Sequence, residues 1–339
     1  MSKHLVLTFG AVILGACLSV TPFSASVESL VGRSRMTPSA AYAADIITFT
    51  PQSHVMDAVR HPAFSGFGSV LFPTEFQQIS PDMTLAGIDP LLPWHSHINA
   101  AMTAEVLNAM LMARQNGKPV FYDLSRQQPP TGVPLMPERG LFFFRGKPGA
   151  PFAIVCPGGG FAYVGSIHES LPLALKLSQL GINTFALHYR TGGARPACED
   201  LAAALSFVFR HADELDIDTR GYSLWGGSAG ARMAAFLGSY GPEAFGGDTL
   251  PRPAAVIMQY TGHDDVALQE VPTFAIVGEK DGIAPPRVME QRIRALERMG
   301  VPVSFRIYPG LEHGFGLGIG TLANGWHEEA LAFWLKHRK

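Results

Sequence analysis

The sequence has few cysteines, few charged residues and no excess of basic side chains. Only three of its 339 residues are cysteine, and no group of cysteine and histidine has the spacing of a zinc site. It has 26 lysine and arginine residues and 28 aspartate and glutamate residues, which gives a net charge of −2. A protein that binds nucleic acid normally carries a basic patch or stripe. The sequence therefore predicts no metal, no cofactor and no nucleic-acid partner.

The N-terminal segment is typical of an export signal. Lys3 precedes an apolar run, Leu5–Val20, which is too short to span a bilayer comfortably. We therefore expect residues 1–44 to be a signal peptide or lipoprotein leader, and the protein to be periplasmic or extracellular. The cleavage site stays open among Ala41-Tyr42-Ala43, Ser24-Ala25-Ser26 and a lipoprotein-like box, Leu14-Gly15-Ala16-Cys17. Cleavage at that box would leave Cys17 lipidated, the one predicted contact with a membrane.

Two cysteines follow the leader. Cys156 ends an apolar run and Cys198 lies near a predicted helix start. Such residues are usually small buried hydrophobes. A disulfide between them stays open, because spacing alone cannot decide whether two cysteines meet.

From Lys118 onward, predicted strands and helices alternate. This pattern indicates an α/β fold in which an eight-stranded, mostly parallel sheet has helices on both faces. The predicted strands are Pro119–Leu124, Leu141–Arg145, Phe152–Cys156, Thr184–Tyr189, Ser223–Gly226, Ala254–Gln259, Thr273–Gly278 and Ser304–Tyr308. Apolar residues at helical spacing predict helices over Asn99–Gln115, Glu199–His211, Pro285–Met299 and Trp326–His337.

A serine stands between two glycines where a predicted strand gives way to a helix. The segment is Gly226-Gly227-Ser228-Ala229-Gly230. A sharp strand-to-helix turn of this kind presents the serine hydroxyl as a nucleophile, and glycines at both flanks avoid a clash there. The alternative role for Ser228 is to cap the following helix.

Two further candidate catalytic residues follow later strands. Asp281 comes after the strand Thr273–Gly278, and His313 follows the last strand. In parallel sheets ligands bind at the carboxyl ends of strands, so we expect both side chains to lie near Ser228. The chain order Ser, Asp, His is that of the α/β-hydrolase triad. Nearby acids that could replace Asp281 are Glu279, Glu312, Asp264 and Asp265.

A glycine-rich loop follows the strand Phe152–Cys156. Its sequence is Pro157-Gly158-Gly159-Gly160-Phe161. We predict that backbone N–H groups of Gly159, Gly160 and Ala229 form an oxyanion hole. Phe161 and Tyr163 come just after the glycines and are candidates either for a substrate pocket or for the core.

These motifs together resemble the α/β-hydrolase superfamily, and more narrowly its bacterial acetyl-esterase and acetylxylan-esterase-like branch. The resemblance covers residues 118–339, which we therefore assign to a catalytic domain. One departure is Pro157, where related lipases begin the glycine loop with histidine. The resemblance implies a secreted serine carboxylic ester hydrolase that removes short acyl groups from a carbohydrate or small ester. A serine peptidase on the same fold and a non-catalytic binding module stay open as alternatives.

Residues 45–117 precede the alternating part and form a predicted N-terminal extension. The connection between the strands at Ala254 and Thr273 is too short to hold a large helical cap. Any lid must then come from the extension, and we expect it to pack over one rim of the active site. The simpler alternative is that it only covers a face of the sheet.

Overall fold

The computed structural model describes residues 48–125 and 138–338. The predicted leader, its candidate cleavage sites and Cys17 therefore lie outside the described residues. Thr48–Lys339 is one compact unit. Buried apolar side chains run through it as one cluster, from Phe49 in the predicted extension to Trp334 near the C-terminus. The predicted extension and the predicted catalytic domain thus share a single core.

One eight-stranded sheet organises this unit. In chain order its strands are β1 (Phe121–Asp123), β2 (Gly140–Phe144), β3 (Pro151–Cys156), β4 (Asn183–His188), β5 (Asp218–Gly227), β6 (Ala255–Gln259), β7 (Thr273–Gly278) and β8 (Val303–Tyr308). They lie side by side in the order β1-β2-β4-β3-β5-β6-β7-β8. The strand β2 runs antiparallel to both of its neighbours, and every other pair is parallel. The predicted mostly parallel sheet is confirmed.

The central strands are mostly apolar and buried because helices cover both faces of the sheet. Every residue of β6 and of β7 is buried. By contrast the edge strand β8 leaves Arg306 and Ile307 exposed. The predicted catalytic loops therefore begin at the buried ends of β3, β5 and β7.

The α-helices of the described residues begin and end as follows: α1 (Val55–Val59), α2 (Ala100–Gln115), α3 (Ser170–Gln179), α4 (Ala194–Arg210), α5 (Ala212–Leu215), α6 (Ala229–Tyr240), α7 (Pro286–Arg298) and α8 (Trp326–His337). Short 3-10 turns lie at Pro62–Phe64, Gly68–Val70, Leu85–Gly87, Asp89–Leu91 and Pro242–Phe245. Among the helices of the described ranges, none has the length and apolarity that crossing a membrane requires.

Two elements begin five residues earlier than predicted. Helix α4 starts at Ala194 rather than Glu199, because Pro196 lies in the first turn, where its missing N–H costs nothing. Strand β5 starts at Asp218 rather than Ser223. Of its polar first residues, Asp218 pairs with Pro151, and a register shift separates this pair from the next one, Ala153 with Ser223.

Cys156 and Cys198 are both buried and both free, so the disulfide alternative is wrong. Burial raises the pKa of the Cys156 thiol well above its usual value and that of Cys198 to about 12. Both thiols therefore stay protonated and act as small apolar side chains, as predicted.

Candidate active site

Ser228 lies on a strained turn between β5 and α6. Its φ of 50° and ψ of −114° fall outside the helical and extended regions. A side chain at Gly226 would overlap the backbone of Gly230, and one at Gly230 would overlap the carbonyl of Cys156. The two flanking glycines are therefore a steric requirement of the turn. The Ser228 side chain makes no capping hydrogen bond to α6, so the alternative role of helix cap is wrong.

The structure brings the three predicted catalytic side chains together. The Oγ atom of Ser228 lies 2.9 Å from Nε2 of His313. On the other side of the ring, Nδ1 of His313 lies 2.8 Å from Oδ2 of Asp281. The Asp281 side chain is completely buried and that of His313 is 7% exposed. This is the geometry of a nucleophile, a general base and an acid that orients the base.

The rival acids do not reach the imidazole. Glu279 accepts a hydrogen bond from the N–H of Gly310, and Asp265 accepts one from the Tyr240 hydroxyl. Within the described part of the chain, neither Asp264 nor Glu312 makes a hydrogen bond or ion pair to His313. Among these acids, Asp281 is therefore the one that contacts the His313 imidazole.

The glycine loop after β3 faces the serine. Gly159 and Gly160 have φ values of 120° and 60°, which favour glycine. Their N–H groups, like that of Ala229 at the start of α6, have no acceptor in the described part of the protein. A cavity of about 230 Å³ lies between the loop and the triad. Its lining residues are Trp94, His95, Gly159, Gly160, Ser228, Ile283 and His313.

Phe161 and Tyr163 do not line this cavity, which corrects their assignment to a substrate pocket. The backbone of Phe161 has φ 60°, and its ring packs against Tyr189 at 6.4 Å between centroids. Tyr163 is fully buried, and its hydroxyl lies 2.9 Å from Nδ1 of His95. Tyr163 thus belongs to the core, and Phe161 is half-buried and packs against the core.

Matches to known proteins support the same architecture. The family model BD-FAE matches residues 145–251, and that of the prolyl oligopeptidase family matches residues 254–339. An acetylxylan esterase from Xylanibacter ruminicola is 23% identical over 266 residues, which cover 69% of this chain. The chain spans about half of that relative, 54% of its length.

Solved structures with this fold include two esterases. An acetyl ester-xyloside bifunctional hydrolase from Caldicellulosiruptor lactoaceticus superposes with a TM-score of 0.53 at 21% identity, covering 64% of this chain and 95% of its own. A propionate-bound thermophilic esterase from Thermogutta terrifontis has a TM-score of 0.53 at 20% identity, with coverages of 62% and 92%. The chain has the α/β-hydrolase fold.

Part of the cavity wall comes from the segment before the first strand. The sequence motifs did not identify this contribution. The indole of Trp94 lies over the glycine loop, since a Cβ atom on Gly160 would come within 2.6 Å of it. His95 also lines the cavity, and Ser96 donates from its hydroxyl to the carbonyl of His313 at 2.7 Å. The only local feature that marks this segment in the sequence is the run Trp94-His95-Ser96 after Pro93. Nothing in that run indicates that these residues lie near the catalytic strand ends.

A buried carboxylate, Glu169, lies behind the glycine loop and was also missed. Burial alone would raise the pKa of Glu169, but His95 and the Gly158 N–H outweigh burial and lower that pKa to about 2. Neighbouring His168 is buried, which lowers its pKa to about 4, and its Nε2 atom lies 2.9 Å from the carbonyl oxygen of Gly314. Glu169 is therefore ionised and His168 neutral at pH 7.

Among the described residues, no group of three or more His, Cys, Asp or Glu is placed to hold a metal ion.

Proposed function

We propose that this α/β-hydrolase is a serine carboxylic ester hydrolase that removes short acyl groups, acetyl foremost, from a carbohydrate or small ester. One observation carries the proposal. Ser228 Oγ lies 2.9 Å from a histidine that Asp281 orients, and this serine faces a cavity bordered by N–H groups without acceptors. Such an arrangement supplies a nucleophile, a base and an oxyanion site at one point.

The reaction follows from these positions. Ser228 Oγ attacks the ester carbonyl carbon while Nε2 of His313 takes the hydroxyl proton. The N–H groups of Gly159, Gly160 and Ala229 stabilise the negative oxygen of the tetrahedral intermediate. His313 then donates its proton to the leaving alcohol. Water, deprotonated by the same imidazole, attacks the acyl-enzyme and releases the acid and the free serine.

The preference for a short acyl group rests on the size of the cavity. It holds about 230 Å³ and is bounded on one side by the indole of Trp94. The matching acetylxylan esterase from Xylanibacter ruminicola supports acetyl groups on a polysaccharide as the first substrates to test.

A panel of p-nitrophenyl esters from acetate to octanoate, together with acetylated xylan, tests the proposal. We expect native protein to prefer the shortest acyl chains, and Ser228→Ala to lower kcat at least about 10³-fold. Ser178→Ala is the matched control, because the Ser178 hydroxyl donates to the Leu175 carbonyl within α3, away from the triad. Near-native turnover by Ser228→Ala would refute the mechanism. Failure of a fluorophosphonate probe to label native protein would instead favour a non-catalytic binding module.

A serine peptidase is the second candidate, because the prolyl oligopeptidase family model matches residues 254–339, where Asp281 and His313 lie. The same triad cleaves amides as well as esters. Aminoacyl p-nitroanilides distinguish the two candidates. Turnover of these amides without turnover of simple esters would favour the peptidase.

We also propose that the protein is exported, on the strength of Lys3 and the apolar run Leu5–Val20. N-terminal sequencing of the protein recovered from the periplasm or the medium would locate the cleavage site. Recovery of full-length chain in the cytoplasm alone would contradict export. Incorporation of a labelled fatty acid that Cys17→Ser abolishes would identify the lipidated form.

A further inference from the structure

The Glu169 side chain is a buried carboxylate that receives hydrogen bonds from separate parts of the chain. It is 2% exposed and directly precedes α3. One oxygen, Oε2, accepts from the N–H of Gly158. The other, Oε1, accepts from the Tyr260 hydroxyl at 2.9 Å and lies 3.0 Å from Nε2 of His95. Burying an ionised group is costly unless donors of this kind surround it.

These donors belong to the walls of the active site. Gly158 begins the glycine loop, and its N–H points at Glu169 rather than into the cavity. The carboxylate also lies against the nucleophile turn, because a Cβ atom on Gly227 would come within 2.8 Å of both its oxygens. Glu169 therefore fixes the loop in the orientation that leaves the N–H groups of Gly159 and Gly160 without acceptors, next to Ser228.

The same carboxylate reaches the base through Tyr260. The Tyr260 hydroxyl donates to Glu169 and accepts from the N–H of Gly316 at 3.2 Å. Its ring packs edge-on against the imidazole of His313, with 5.0 Å between centroids. Tyr260 thus holds the loop that carries His313, and Glu169 holds the hydroxyl of Tyr260.

We propose that Glu169 is a positioning residue of the ester hydrolase, which holds the oxyanion loop and the His313 loop in register through Gly158 and Tyr260. His95 completes the arrangement from the segment before the first strand. The inference rests on the proposed function, because its effect is measured on that reaction. Since the bound ester carries no oxyanion and the charge develops only during the reaction, loss of the carboxylate should lower kcat far more than it raises KM.

The test compares Glu169→Gln with Glu270→Gln. Glu270 is an equally buried glutamate that pairs with Arg292 and makes no hydrogen bond to the triad. In Glu169→Gln, we expect kcat for p-nitrophenyl acetate to fall about 10- to 100-fold with KM within about threefold. The Ki of a boronic acid that mimics the tetrahedral intermediate should rise by a similar factor. Glu270→Gln should lower thermal stability but leave kcat and Ki within about twofold.

A native-like kcat in folded Glu169→Gln, or an equal kcat loss in Glu270→Gln, would overturn the inference. If Glu169→Gln does not fold, the variant Tyr260→Phe tests the inference instead, because it removes only the hydroxyl that joins Glu169 to the His313 loop. A fall in kcat with unchanged KM supports the inference, and an unchanged kcat refutes it. A different result would show that the proposed function itself is wrong: native protein would then neither hydrolyse the ester nor react with a fluorophosphonate.

Discussion

Asp281 binds His313 with one carboxylate oxygen and the backbone with the other. Oδ2 lies 2.8 Å from Nδ1 of His313, while Oδ1 accepts from the N–H groups of Ile283 and Ala284 at 2.9 and 2.7 Å. The two backbone donors fix which oxygen faces the imidazole. Because an ionised carboxylate only accepts, Nδ1 must carry a proton and Nε2 is free to accept the proton of Ser228.

This asymmetry predicts a large effect for Asp281→Asn. The Ile283 and Ala284 N–H groups require an acceptor, so the amide oxygen takes the Oδ1 position and the amide NH₂ faces Nδ1. The imidazole must then carry its proton on Nε2, where it cannot act as a base. We expect kcat for p-nitrophenyl acetate to fall roughly 10³- to 10⁴-fold with native stability nearly kept. Asp264→Asn, at an exposed position, is the control, and equal losses in both variants would contradict the assignment.

Trp94 should limit the length of the acyl chain that the cavity accepts. Its indole borders the cavity at Gly160, so Trp94→Ala removes the largest side chain of that wall. We expect the ratio of kcat/KM for p-nitrophenyl octanoate to that for acetate to rise at least about tenfold. Leu180→Ala, at a partly exposed leucine that follows α3, should leave the ratio unchanged. An unaltered ratio in Trp94→Ala would show that long chains are excluded elsewhere.

His263 should make the fold sensitive to acid. It is 1% exposed, packs edge-on against Phe236, and neither ring nitrogen has a partner among the described residues. Burial, aided by Arg292 and Arg232 and opposed by Asp265, lowers its pKa from 6.5 to about 3. Between these pH values the unfolded chain binds a proton that the folded protein does not. The free energy of unfolding therefore falls as pH decreases through this range, by about 1.4 kcal/mol per pH unit.

Replacement of this side chain tests the effect. In His263→Leu, the loss of stability between pH 7 and pH 5 should be smaller than in native protein by about 2 kcal/mol. Urea unfolding at the two pH values measures the difference. Leu180→Ala removes no titratable group and should leave the pH dependence as in native protein. Parallel stability curves for His263→Leu and native protein would contradict the prediction.

The sequence was sufficient to predict the helices and strands that local steric preferences determine. The helix predicted over Trp326–His337 has those bounds, and Asn99 caps α2 by accepting from the N–H of Met102. All eight strands occur near their predicted positions, because short apolar runs between turn residues have few other ways to be buried. Helix α3 received no prediction of its own, since Pro172 and the polar residues before it obscure its start.

The sequence by itself determined the sheet, the turn at Ser228 and the order in which serine, aspartate and histidine follow strand ends. Parallel strands bring their carboxyl ends to one edge, so chain order alone implies that these three side chains meet. Only the tertiary structure decided that Trp94 borders the cavity, that Phe161 and Tyr163 turn away from it, and that Glu169 joins Gly158 to Tyr260. The contact between Glu169 and Tyr260 joins residues 91 positions apart, and that between Ser96 and His313 joins residues 217 positions apart, without a periodic pattern. They arise from packing between elements, which no local spacing encodes.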